Sequence, residues 1–181
     1  RSGAVMLTGD ATAARMDPAG NARLYYCLGT LGVCRGEFAF EVLVQAPSDV
    51  FTAGNFFAVG VACKRYRGPS GPACAAYVLR SDGAVLSQSD STVGVKFLDR
   101  ALPATCRVAV HVDLHRWQMS FYIDSKPVGV GFRFTPISDP EPLFPVVLFG
   151  RAGGSAVLVP PQADLPDGVS PTRLRHQHHH T

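Results

Sequence analysis

The chain has 181 residues, which suits one domain with or without tails. Hydrophobic residues make up 46% and charged residues 17%, so there is material for a sizeable core and too little charge for a disordered chain. A formal net charge of +3 gives no reason to expect nucleic-acid or membrane binding.

In chain order, Ala4 to Leu7 reads as an edge strand closed by Thr8, Gly9 and Asp10. Asp10 to Met16 reads as a short helical turn, ended by Pro18, Gly20 and Asn21. Leu24 to Leu28 is aromatic and apolar and predicts a strand, followed by turns through Gly36. Glu37 to Gln45 is a strong strand with Phe38, Phe40, Val42 and Val44 on one face. A loop over 46–55 leads to the strand Phe56 to Cys63, where Gly60 lets a backbone or a bulky ring come close. Lys64 to Ala75 is a loop with two prolines and two glycines. Ala76 to Leu86 predicts a hairpin turning at Ser81-Asp82-Gly83. Ser87 to Thr92 is polar, and Val93 to Arg100 reads as strand or loop.

The clearest stretch is Arg107 to Phe134, a meander of three strands. Val108, Val110 and Val112 alternate with Ala109, His111 and Asp113; Met119, Phe121 and Ile123 alternate with Gln118, Ser120 and Tyr122. Asp124 to Pro127 predicts the second turn, and Val128, Val130 and Phe132 follow. This meander is expected at the centre of an antiparallel sheet. A Pro-rich loop over 135–142 precedes a buried strand, Leu143 to Phe149; a turn over 150–155 and a short strand, Ala156 to Val159, follow. From Pro160 the chain is Pro-rich and polar and ends in His178, His179 and His180; a flexible tail is expected. Many short strands and no convincing helix predict an all-β, two-sheet antiparallel β-sandwich.

The string VDLHRWQMSFYIDSKPVGVGF resembles the most recognisable part of SPRY (B30.2) domains, with Asp113, Ser120, Phe121, Asp124, Gly129, Val130 and Phe132 in the pattern's places. Phe40-Glu41-Val42, Val59-Gly60-Val61-Ala62 and Leu143-Phe144-Pro145 resemble three further pieces in the right order, although Phe40 stands where Trp is common. The resemblance covers about Gly36 to Val159. It implies a SPRY-like sandwich core over 36–159, a divergent N-terminal extension over 1–35 packed on the sandwich, and the 160–181 tail. It also implies a non-catalytic protein-interaction module that binds through loops at one end of a concanavalin-like layering, as target-recognition domains of ubiquitin ligases do. No RING, B-box or SOCS-box sequence is present, so ligase activity would lie in a longer parent chain or a partner.

Little else in the sequence points to chemistry. No G-x-S-x-G, H-E-x-x-H, Walker A or G-x-G-x-x-G pattern occurs, and no enzyme activity or cofactor is expected. His111 and Asp113 share one face of a strand and read as two polar residues opposite the core. The histidines of the tail could ligate a transition metal, but a floppy tail or tag remnant is the preferred reading, and no metal site is expected. The five cysteines are odd in number and hold no C-x-x-C pair. Reduced thiols and a cytoplasmic location are expected, with one or two disulfides in a secreted protein as the alternative. No signal peptide is visible, and a first residue of Arg is what an excised fragment would show.

The binding residues implied are Lys64, Arg65, Tyr66 and Arg67 in the loop after Val59-Gly60-Val61-Ala62, Tyr77 and Arg80 on the next strand, Trp117, and a rim of Arg133 and Arg151. Arg and aromatic side chains are the ones most often decisive at protein surfaces. A protein or peptide partner offering acidic or hydrogen-bonding groups is therefore expected. A carbohydrate-binding, lectin-like sandwich is the alternative. Trp117 itself reads as either core packing or a partner anchor.

Overall fold

The computed structural model describes residues 5–8, 13–16, 25–28, 32–52, 54–66, 74–87, 92–136, 141–150 and 154–159. The expected tail over 160–181 lies outside them. Among the described residues there are thirteen strands and no helix. Seven form one antiparallel sheet in the order β1 (Val5–Thr8), β2 (Ala13–Met16), β13 (Ser155–Val159), β4 (Glu37–Gln45), β9 (Thr105–Asp113), β10 (Gln118–Ile123), β11 (Lys126–Arg133). Six form the other: β3 (Tyr25–Leu28), β12 (Leu143–Phe149), β5 (Phe57–Cys63), β6 (Ala76–Arg80), β7 (Ala84–Ser87), β8 (Thr92–Lys96). The sandwich read from the sequence is this fold.

Between the sheets lies one core. Phe38, Phe40, Val42 and Val44 of β4, Val108, Val110 and Val112 of β9, and Met119 and Phe121 of β10 meet Phe57, Val59, Val61, Leu79, Val147 and Phe149 of the facing sheet. The period of two in each strand puts these apolar side chains on one face. Gly60 is required by a close approach: a Cβ there would stand 1.9 Å from the Tyr77 carbonyl oxygen of β6. The hairpin between β10 and β11 turns on Asp124 and Ser125 alone, both left-handed at φ 49° and 70°, as a two-residue turn between twisted strands demands. Lys126 and Pro127, expected in that turn, instead begin β11.

Two expectations are corrected. The meander β9–β10–β11 is not central: β11 is the edge of its sheet, which is where Pro127 is tolerated and where two register shifts with β10 occur. Ala13 to Met16 is a strand rather than part of a helical turn, because its backbone pairs with both β1 and β13 and pairing overrides local propensity. The faces turned away from the core are themselves partly covered. Glu41, Ala39, Ala109, His111, Asp113 and Tyr122 are buried on the outside of one sheet. Ala58, Ala62, Tyr66, Cys74, Ala76, Val78, Val146 and Leu148 form a second apolar cluster associated with the other.

Candidate functional site

The two ends of the sandwich differ. At one, here the loop end, β5 stops at Cys63 opposite Leu143, the start of β12, and Ala62 pairs with Ala76, the start of β6. Val33 exchanges two backbone hydrogen bonds with Leu143, and Glu37 pairs with Asp113 just before the β9–β10 turn. Arg133 at the end of β11 pairs with Gln118. Residues 64–66, 74–75, 114–117, 134–136 and 141–142 therefore lie at this end. At the opposite turn end lie Asp124 and Ser125, the Arg80–Gly83 turn, and Gly150, whose N–H donates to the Phe56 carbonyl.

The expected binding residues divide between these ends. Lys64 and Arg65 are exposed on the loop end. Arg65 Nη2 donates to Glu141 Oε1 at 2.7 Å, joining the segment after β5 to the one before β12, with the two side chains 63% and 52% exposed. The hydrogen bond and charge of Glu141 raise the Arg65 pKa further. Tyr66 is not available at the surface: it is 2% exposed and packs with the second apolar cluster. Arg67 lies outside the described residues.

Tyr77 is partly buried and faces the core, edge-on to Phe132 at 5.3 Å and to Phe134 at 4.6 Å, while Phe132 and Phe134 stack. Trp117 is partly buried against the same core. It sits at φ 57°, an unusual conformation for a bulky residue, and its carbonyl accepts the Phe134 N–H at 2.8 Å. Arg133 is exposed and donates to Gln118 Oε1 at 3.1 Å. The loop end thus carries exposed cationic groups and, partly buried against the core, Trp117, Tyr77 and Phe134. Phe134, which the sequence reasoning passed over, continues the alternation of Val128, Val130 and Phe132.

Arg80 does not join this rim. Arg80 pairs with Ala58 near the start of β5, the far end of that strand from Lys64. It grips Asp82 through two hydrogen bonds of 2.9 and 2.6 Å, and that bond holds the Asp82 carboxyl below its ordinary range. Arg151 lies outside the described residues.

His111 and Asp113 do structural work. Asp113 Oδ1 accepts the N–H groups of His115 and Arg116 at 2.9 Å each, which fixes the β9–β10 turn. His111 Nε2 is 3.1 Å from Glu37 Oε2. Cys34, Cys63, Cys74 and Cys106 are free thiols, the last three buried. Among the described residues no group of three or more His, Cys, Asp or Glu is placed to hold a metal ion.

No family model matches the chain, and no curated protein matches it. Solved structures do. The SPRY domain of human HERC1 is similar with a TM-score of 0.64 at 14% identity, covering 87% of this chain and 93% of that one. A human SPRY domain is similar with a TM-score of 0.62 at 18% identity, covering 86% and 94%.

Proposed function

We propose that this chain, which has the SPRY-domain fold, is a non-catalytic protein-interaction module that binds a partner protein or peptide at its loop end. The observation that carries the reading is Arg65. Its guanidinium stands on the loop end, largely exposed, and already holds a carboxylate there. An exposed Arg can exchange that carboxylate for one from a partner, or donate to a partner carbonyl. Lys64 and Arg133 add charge around it, and Trp117, Tyr77 and Phe134 offer apolar surface to a neighbouring side chain of the same partner. The resemblance of the central meander to SPRY/B30.2 domains supports placing the module as the target-recognition part of a cytoplasmic ubiquitin ligase, with the ligase activity elsewhere.

The test is capture from a cell lysate with three baits: the native domain, Arg65→Ala, and Lys126→Ala as a control at the turn end. Partners retained by the native domain and the control but lost by Arg65→Ala are expected. Equal recovery by all three would remove the loop end as the binding site.

A further inference from the structure

Cys63 and Cys74 flank the segment that carries Lys64 and Arg65. Cys63 is the last residue of β5, and its N–H donates to the Ala75 carbonyl at 2.7 Å, so the chain on either side is drawn together at that point. Both are free thiols, buried in one cluster with Tyr66, Val146 and Leu148. Arg65 follows Cys63 by two residues, Glu141 precedes by two the Leu143 that pairs with Cys63, and the two charged side chains meet at 2.7 Å, so the ion pair stands beside this cysteine pair.

We propose that Cys63 and Cys74 form a reversible disulfide site whose oxidation is controlled by the Arg65–Glu141 ion pair beside it. The hydrogen bond from Cys63 to the Ala75 carbonyl holds the adjacent Cys74 backbone close to Cys63, as a disulfide requires. What restrains them is the scarcity of thiolate: burial, then the contact with Cys63, pushes the Cys74 thiol up to about 12. Arg65 favours the thiolate and Glu141 disfavours it. With an azo oxidant such as diamide, the Cys74 thiolate adds to one nitrogen of the N=N bond and the other nitrogen takes up a proton. Cys63 sulfur then attacks Cys74 sulfur, the S–N bond breaks, and a hydrazine leaves with the second proton. The two thiols lose two electrons and two protons, and the oxidant gains them. Any effect on partner binding rests on the function proposed above; the disulfide itself does not.

The native protein is treated with diamide between about pH 7 and about pH 9, where thiolate becomes more abundant. Remaining thiols are alkylated, and the chain is cut with trypsin. Cleavage after Lys64 and Arg65 leaves the two cysteines on separate peptides. A Cys63–Cys74 peptide pair that reductant separates is expected, forming faster at higher pH, severalfold faster in Glu141→Gln and severalfold slower in Arg65→Gln. Absence of that pair in the native protein would overturn the site. Equal rates in all three proteins would overturn its electrostatic control. No partner is used, so neither result bears on the loop end as a binding surface.

Discussion

Two ion pairs of the same chemistry sit in opposite surroundings. Arg107 Nη2 meets Glu41 Oε2 at 2.7 Å on the outer face of the seven-stranded sheet, and Arg65 Nη2 meets Glu141 Oε1 at the same distance on the loop end. The Glu41 side chain is 0% exposed and that of Glu141 is 52% exposed. Distance alone would rank them equal. Desolvation separates them: a carboxylate removed from water depends on its partner, whereas one left in water can release its partner and lose little. Arg107 is also built into the frame, since its N–H donates to Asp124 Oδ1 and its carbonyl accepts the Asp124 N–H, both at 2.9 Å. The first pair is therefore part of the fold, and the second is free to be part of recognition.

The largest effect that sharpens this contrast is expected at Glu41. Glu41→Gln removes the charge but keeps the shape, leaving Arg107 facing a neutral amide. A loss of about 3–5 kcal/mol is expected, read as a lower urea midpoint at unchanged slope. Replacing both partners by apolar residues, Glu41→Met with Arg107→Leu, should recover most of that loss, because no unmatched buried charge is left behind. A single variant costing under about 1 kcal/mol would make the two pairs energetically alike and break the comparison.

Arg80–Asp82 gives an intermediate case, with side chains 32% and 45% exposed. The Arg80 hydrogen bond holds the Asp82 carboxyl below its ordinary value. A carboxyl whose pKa is depressed in the folded state stabilises the protein in full above its unfolded value of about 3.9 and loses that contribution as pH falls through the folded value. Asp82→Asn should thus cost less than about 1 kcal/mol near neutral pH, after allowance for screening. In strong acid the variant and the native protein should melt together. Asp82 Oδ1 also accepts the Ala84 N–H at 3.1 Å, so a residual difference that persists in acid would belong to the turn rather than to the ion pair.

Most of the frame was legible because its signals are local. Alternation in Glu37 to Gln45 and in Val108 to Ile123 names the core-facing residues directly, and Ser81-Asp82-Gly83 names its own hairpin, with Gly83 at φ 92°. The part that was not legible depends on what covers a face. The sequence alternation puts Glu41, His111 and Asp113 opposite the core but does not say whether water or a second layer covers that face, and all three are buried. Tyr66 has the same cause: set among Lys64, Arg65 and Arg67 it reads as a surface aromatic. The run Phe57 to Cys63 carries a signal that could have corrected this, since a strand apolar on both faces is one covered on both sides. For the site, the error was one of chain direction. Tyr77 and Arg80 lie three residues apart on β6, but one end of that strand enters the loop end and the other leaves at the turn end, so proximity in sequence did not mean membership of one rim.

The smallest expected effect on stability is at Arg65, and its smallness is the point. Arg65→Gln removes the cation from Glu141 but strands no buried group, because both side chains stand in water. The thermal midpoint should stay unchanged from low to high salt, as screening has little to weaken. Capture of the partner should nevertheless fall, and fall in the native protein too as salt is raised, since an encounter guided by exposed charge is salt-sensitive. A variant that melts several degrees lower would mean that the pair braces the segments after β5 and before β12 against each other. The loss of binding would then reflect a displaced loop end rather than a missing guanidinium. Arg65→Lys separates the two: it restores a charge that can brace but not a planar fork, so binding that stays weak at native stability points to recognition by the guanidinium itself.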